Sequence, residues 1–160
     1  MKVVARKATI LVVDDAPENL MVIEAILGDD YFLKLFEDAK SAITYAIKMP
    51  PDLILLDVMM PDIDGFEACR QIKSEDNLTN IPVIFITAKS NVRDEEMGFS
   101  GGAVDFIQKP ISSPVVHARV KTHLKLKFIS DYLQLQDKQG SGNFKECLFA
   151  LKCLINNGNE

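Results

Sequence analysis

Long apolar runs are missing from this 160-residue chain. The apolar runs that occur, such as 10–13 and 53–56, are strand-sized and fall far short of the roughly 20 residues that a membrane-spanning helix needs. Met1-Lys2 is followed by no extended apolar stretch, so neither a secretion signal nor a membrane partner is expected. Cysteine is scarce too: Cys69, Cys147 and Cys153 are odd in number and lack metal-ligand spacing. That argues against a disulfide framework and for a reducing compartment. Glycine contributes only 8 residues and no GxGxxG or GxxxxGK[ST] occurs, so the dinucleotide and P-loop readings lack their motifs. No long-period repeat appears, and Gly140-Ser141-Gly142 is the one low-complexity spot. With 23 acids against 18 bases the net charge is −5, which disfavours a wide basic face and direct nucleic-acid binding. The expectation is one cytoplasmic domain with a little chain to spare.

What is present is an alternation. Short apolar runs at 9–13, which is rich in β-branched residues, and at 31–36, 53–56, 83–86 and 103–107 read as strands. Between them lie helical patterns. The first opens at Pro17 and carries Leu20, Ile23, Ile26 and Leu27 up to Gly28, and the second covers 39–49 and stops at Pro50-Pro51. A third follows Asp64-Gly65, a polar fourth covers 92–100, and Ser113-Pro114 reads as cap and first-turn proline of a long fifth. Five strands alternating with five helices predict a parallel α/β sheet covered on both faces. In such sheets ligands meet the carboxyl ends of the strands, near the point where strand order reverses.

Those ends carry a coherent set of groups. Asp14-Asp15 follows the first strand, Asp57 the third, Thr87 the fourth and Lys109-Pro110 the fifth. Three carboxylates brought to one edge repel one another unless a cation intervenes, and a hard divalent ion such as Mg²⁺ suits oxygen donors. An ammonium and a hydroxyl opposite them suit the oxygens of a transferred phosphoryl group, with one carboxylate as covalent acceptor. Taken singly, each residue has an ordinary explanation, since acids are common after strands. Four strand ends supplying acid pair, acid, hydroxyl and amine make the joint reading the stronger one.

Four ordered motifs then resemble a known family, the receiver domain of bacterial two-component response regulators. They are Ile10-Leu11-Val12-Val13-Asp14-Asp15, Leu53-Ile54-Leu55-Leu56-Asp57-Val58-Met59-Met60-Pro61-Asp62-Ile63-Asp64-Gly65, Ile84-Phe85-Ile86-Thr87-Ala88 and Gly102-Ala103-Val104-Asp105-Phe106-Ile107-Gln108-Lys109-Pro110. Similarity spans roughly 8–125. It implies a doubly wound α/β fold, a five-stranded parallel sheet of order 2-1-3-4-5 flanked by five helices. It implies Asp57 as phosphoacceptor, Asp14, Asp15, Asp57 and the Met59 backbone carbonyl around Mg²⁺, Lys109 as phosphoryl-binding amine, and a cis Lys109-Pro110 peptide. Thr87 and the aromatic at Phe106 would form the switch, though Phe106 lacks the hydroxyl of the tyrosine often found there. Met59 and Lys89 fall at positions that vary in the family. The implied partner is a sensor histidine kinase or phosphotransfer protein. The domain would catalyse its own phosphorylation and dephosphorylation without being an enzyme toward free substrates.

Two other readings compete. One is a phosphate-independent dimerisation module of the same fold. The other is a small aspartyl-phosphate hydrolase, disfavoured because Met59 stands where such enzymes usually carry a second acid. His117 and His123, six apart, are read as solvated or half-buried helix residues. Arg119, Lys121, Lys125 and Lys127 are read as a solvated face, Cys69 as core or partly exposed and not reactive, and Gly65 and Gly101-Gly102 as turn and close-approach positions. The receiver is assigned to 1–126 and a helical extension to 127–160. Leu124, Phe128, Tyr132 and Leu135 continue an apolar stripe past the domain, and Phe144, Cys147, Leu148, Leu151, Leu154 and Ile155 form a second. A homodimer through these helices is the expectation.

Overall fold

The computed structural model describes residues 6–88 and 92–139. Five strands, β1 (Thr9–Val13), β2 (Phe32–Phe36), β3 (Leu53–Asp57), β4 (Val83–Thr87) and β5 (Asp105–Gln108), form one parallel sheet of order β2-β1-β3-β4-β5. Helices α1 (Pro17–Leu27), α2 (Ala39–Lys48), α3 (Gly65–Ser74), α4 (Val92–Ser100) and α5 (Ser113–Gln139) make the connections. The order reverses at β1, which lies between β2 and β3.

The alternating pleat sorts the central strands onto two cores. Leu11, Val13, Ile54, Leu56 and Phe85 face one layer, closed by Ala42 and Ala46 of α2 and Phe66, Cys69 and Ile72 of α3. Ile10, Val12, Leu53, Leu55, Ile84, Ile86 and Ile107 face the other, closed by Leu20, Ile23 and Leu27 of α1 and Val116, Val120 and Leu124 of α5. Burial on both faces explains why β3 and β4 read as unbroken apolar runs, while edge strands β2 and β5 are mixed. Asp38 and Asp64 cap α2 and α3, each accepting from the N–H three residues on at 2.8 Å. α1 lacks a side-chain cap and begins on Pro17 instead.

The sequence-predicted boundaries move slightly. β2 starts at Phe32 and not Tyr31, and β5 at Asp105 and not Ala103, because the Ala103 N–H is taken by the Gly98 carbonyl ending α4. Gly102 lies at φ +98°, a conformation that favours glycine. Ser113 is already helical. The Ser112 carbonyl accepts from the Val116 N–H, so the helix opens at the expected cap and the cap position moves to Ser112. α5 is 27 residues long, about 40 Å at 1.5 Å per residue. Of its stripe, Leu124 is buried, Phe128 packs against the α1–α5 core, Tyr132 is half-buried and Leu135 is exposed, as are Leu126 and Leu133 outside the stripe. No described helix is long and apolar enough to cross a membrane. Lys89 and the Phe144–Ile155 stripe lie outside the described residues.

Candidate functional site

The crevice at the carboxyl ends of β1, β3 and β5 collects most of the groups singled out in the sequence. Asp14 and Asp15 follow β1, Asp57 ends β3, and oxygens of the three approach within 4.8 Å of one another. Asp14 and Asp57 are buried and Asp15 is exposed, so two charges are forced together and the third faces water. Lys109 reaches between the buried pair. Its Nζ donates to Asp14 Oδ2 at 3.1 Å and to Asp57 Oδ1 at 3.2 Å. The Lys109-Pro110 peptide is cis, and the Lys109 N–H donates to the Thr87 carbonyl at 2.8 Å, tying the end of β5 to that of β4.

Local geometry at β3 depends on a glycine. A Cβ on Gly65 would lie 2.3 Å from the Asp57 carbonyl oxygen. The absence of a side chain lets the start of α3 sit against the strand end, where the Gly65 N–H donates to the Val58 carbonyl at 2.9 Å.

The electrostatics follow from burial. Burial, then the Asp14 charge, pushes the Asp57 carboxyl above its ordinary value, although Lys109 pulls the other way. One ammonium shared between two acids does not offset both effects. Burial alone would lower the Lys109 ammonium, but its bonds and charge contacts with Asp14 and Asp57 hold it above its ordinary value. The donors are hard oxygens at a spacing that suits a small divalent cation, which fits Mg²⁺. Such a set can neutralise and orient a phosphoryl group next to a carboxylate nucleophile.

The remaining predicted residues are placed less directly. Thr87 is buried at the end of β4. Met59 extends an exposed side chain, and its N–H lies 3.4 Å from Asp57 Oδ1. Phe106 pairs in register with Phe85 and is half-buried beneath α4, its ring tilted at 43° to Phe85 at 5.3 Å and edge-on to Phe99 at 5.1 Å. It fits because residue 98 is glycine: a Cβ there would come within 2.5 Å of the Phe106 ring.

Sequence reasoning missed two arrangements. Asn19, in the first turn of α1, donates Nδ2 to both Asp14 oxygens at 3.1 Å, and nothing marks an asparagine five residues after an acid as its partner. Asp105, beside Phe106, accepts from Arg119 at 2.9 and 3.0 Å and lies 2.9 Å from His123 Nε2. Burial pushes the Asp105 carboxyl up, but bonds from His123, the Phe106 N–H and Arg119 outweigh it and hold it below its ordinary value. Half of the basic stretch on α5 is thus engaged inside the chain, since Lys127 also pairs with Asp131. Cys69 is buried, one of the two placements read from the sequence.

A doubly wound parallel sheet with acids and an ammonium at its switch point defines an α/β domain that meets its ligands beyond the strand ends. Residues 10–121 match the family described as response regulator receiver domain, and the chain belongs to that family. It is therefore a receiver domain of two-component signalling. It is 43% identical over 131 residues to a probable cyclic di-GMP phosphodiesterase of Vibrio cholerae, covering 82% of this chain and 30% of that protein. It is 40% identical over 134 residues to the response regulator PleD of Caulobacter vibrioides, covering 83% of this chain and 30% of that one. The chain thus spans about a third of the length of these relatives. Among solved structures, the receiver domain of the sensor histidine kinase PA1611 of Pseudomonas aeruginosa is 31% identical with a TM-score of 0.69. That match covers 74% of this chain and 98% of that one, which holds a magnesium ion in its active-site cleft.

Proposed function

We propose that this receiver accepts a phosphoryl group onto Asp57 from a phosphohistidine of a sensor histidine kinase or phosphotransfer protein. The observation that carries the reading is the buried Asp14–Asp57 pair bridged by Lys109, with Asp15 at its open side. An Asp57 oxygen forms the new O–P bond as the P–N bond breaks, and the imidazole nitrogen keeps the electron pair. Asp14, Asp15, Asp57 and the Met59 carbonyl would hold Mg²⁺, which when bound neutralises charge on the phosphoryl oxygens. Lys109 holds one phosphoryl oxygen and the Thr87 hydroxyl another. That draw on Thr87 is read out by Phe106, which shifts against α4 and alters a protein-binding surface. Hydrolysis of the acyl phosphate by water resets the domain. The reading places the protein in the cytoplasm, beside its phosphodonor.

The receiver proper is assigned to 1–126 and the extension to 127–160. The exposed Leu126, Leu133 and Leu135 on the overhang of α5 support a homodimer through that helix. Incubation with acetyl phosphate and Mg²⁺ tests the central reading. Alkali-labile phosphate is expected on the wild type and absent from Asp57→Asn; equal labelling of that variant would show the acceptor to be wrongly named. Sedimentation tests the dimer: an intact chain that stays monomeric at high concentration removes it.

A further inference from the structure

Asp14 is saturated with donors. Its Oδ1 accepts from the Ala16 N–H at 2.9 Å and from Asn19 Nδ2 at 3.1 Å, and its Oδ2 accepts from Lys109 Nζ at 3.1 Å and again from Asn19 Nδ2 at 3.1 Å. A carboxylate offers about four lone-pair sites, and here four contacts claim them. Asp57 differs: its Oδ1 meets Lys109 and the Met59 N–H, while its Oδ2 has no protein donor among the described residues. Asp15 is exposed and engages no donor among them. Any cation entering the cluster therefore finds open oxygens on Asp15 and Asp57 but none on Asp14.

Of the donors on Asp14, one must yield before that oxygen can serve a metal. The Ala16 N–H is fixed by the chain, and the Lys109 ammonium is charged and shared with Asp57. Asn19 is neutral, divides one amide group between two oxygens, and sits half-exposed on the first turn of α1. Its helical bond to the Ala16 carbonyl uses the backbone N–H, so the side chain can turn away without unwinding the helix.

We propose that Asn19 is a gate on the cation site: its carboxamide occupies the Asp14 lone pairs that a divalent cation needs, and so sets the affinity of the cluster. The proposal rests on the Mg²⁺-binding part of the function above. The positive end of the amide dipole also reduces the negative potential that attracts a cation, so steric and electrostatic effects act in one direction. In the metal-free protein the same contact stabilises a buried carboxylate. Removing it therefore has two effects of opposite sign.

The test is Mg²⁺ binding without any phosphodonor, followed by titration calorimetry and by the melting temperature as MgCl₂ is added. Asn19→Leu keeps the number and branching of side-chain heavy atoms while deleting the donor, and Asn19→Ser, closer to asparagine in helix preference, is the second variant should the first fold poorly. The gate predicts a lower melting temperature in EDTA together with Mg²⁺ binding that is tighter by about three- to tenfold. A purely positioning role would loosen metal binding, by tenfold or more. Equal or weaker Mg²⁺ affinity in folded variants overturns the gate while leaving the metal site in place. A wild type indifferent to Mg²⁺ overturns both. Intact Mg²⁺ binding with no phosphate on Asp57 would sink the phosphoacceptor reading alone.

Discussion

Replacing Lys109 with methionine keeps most of the aliphatic stem and deletes the ammonium that bridges Asp14 and Asp57. Two carboxylates with side-chain exposures of 1% and 3% would then face each other without a cation. Stranding a buried charge by removing its partner typically costs about 3–5 kcal/mol. The low end applies here, because Lys109 itself keeps 21% exposure and Asp15 lies open to water. At 2–4 °C per kcal/mol for a chain of this size, the metal-free melting temperature should fall by about 10 °C.

The pH dependence has a definite sign. Asp57 has a folded-state pKa above its unfolded value, so the folded form binds more protons between the two and stability falls as pH rises through that window. Lowering the pH from neutral toward about 4 should therefore stabilise the Mg²⁺-free protein, and Lys109→Met should steepen the effect. Asp105 works in the opposite sense. Its lowered pKa gives stability that is present above the ordinary carboxylate value and lost as pH falls through the folded one, so the two windows separate on either side of about 4. Thermal melts in EDTA across pH 4.5–8, repeated in millimolar Mg²⁺, are the assay. Mg²⁺ should restore the variant more than it raises the wild type, because the cation replaces the missing charge. A variant melting within about 1 °C of the wild type in EDTA at neutral pH would refute the account of Lys109 as the neutralising group.

Further outcomes can be measured the same way. Gly98→Ala places a Cβ within 2.5 Å of Phe106 and 2.8 Å of Phe85; overpacking of about 1–3 kcal/mol should exceed the roughly 1 kcal/mol gained in helix preference. Urea melts should show Phe106→Leu relieving that loss in the double variant, and simple additivity would disprove the contact. Gly65→Ala meets the backbone oxygen of Asp57 at 2.3 Å, so α3 must move; both stability and acetyl-phosphate labelling should drop, and normal labelling would count against the close approach as a requirement. Thr87→Ala should still label at Asp57 but lose the downstream response. A variant that responds normally would send the signal by another path. Deleting 127–160 should yield a folded monomer that labels at Asp57, and its failure to fold would extend the domain along α5 beyond residue 126, where Phe128 packs on the core.

The sequence alone determined the fold and the position of the site. Strand-length apolar runs at 53–56 and 83–86 without alternation demand burial on both faces, and that burial requires covering helices and a parallel sheet. The acids at 14, 15 and 57 and the amine at 109 follow their strands directly, so knowing the strands places them at one edge. Element ends were less legible: β5 starts late because the Gly98 carbonyl claims the Ala103 N–H, a competition that composition does not record. Tertiary structure decided how the charges are shared, with Asp14 and Asp57 buried, Asp15 exposed and one ammonium between the first two. It also decided that Asn19 closes over Asp14, that His123 and Arg119 converge on Asp105, and that Gly98 makes the hole for Phe106. These are contacts between elements brought together by packing. Helical and strand periods say which face a residue occupies, but the partner across the gap depends on crossing distances that only the folded chain sets.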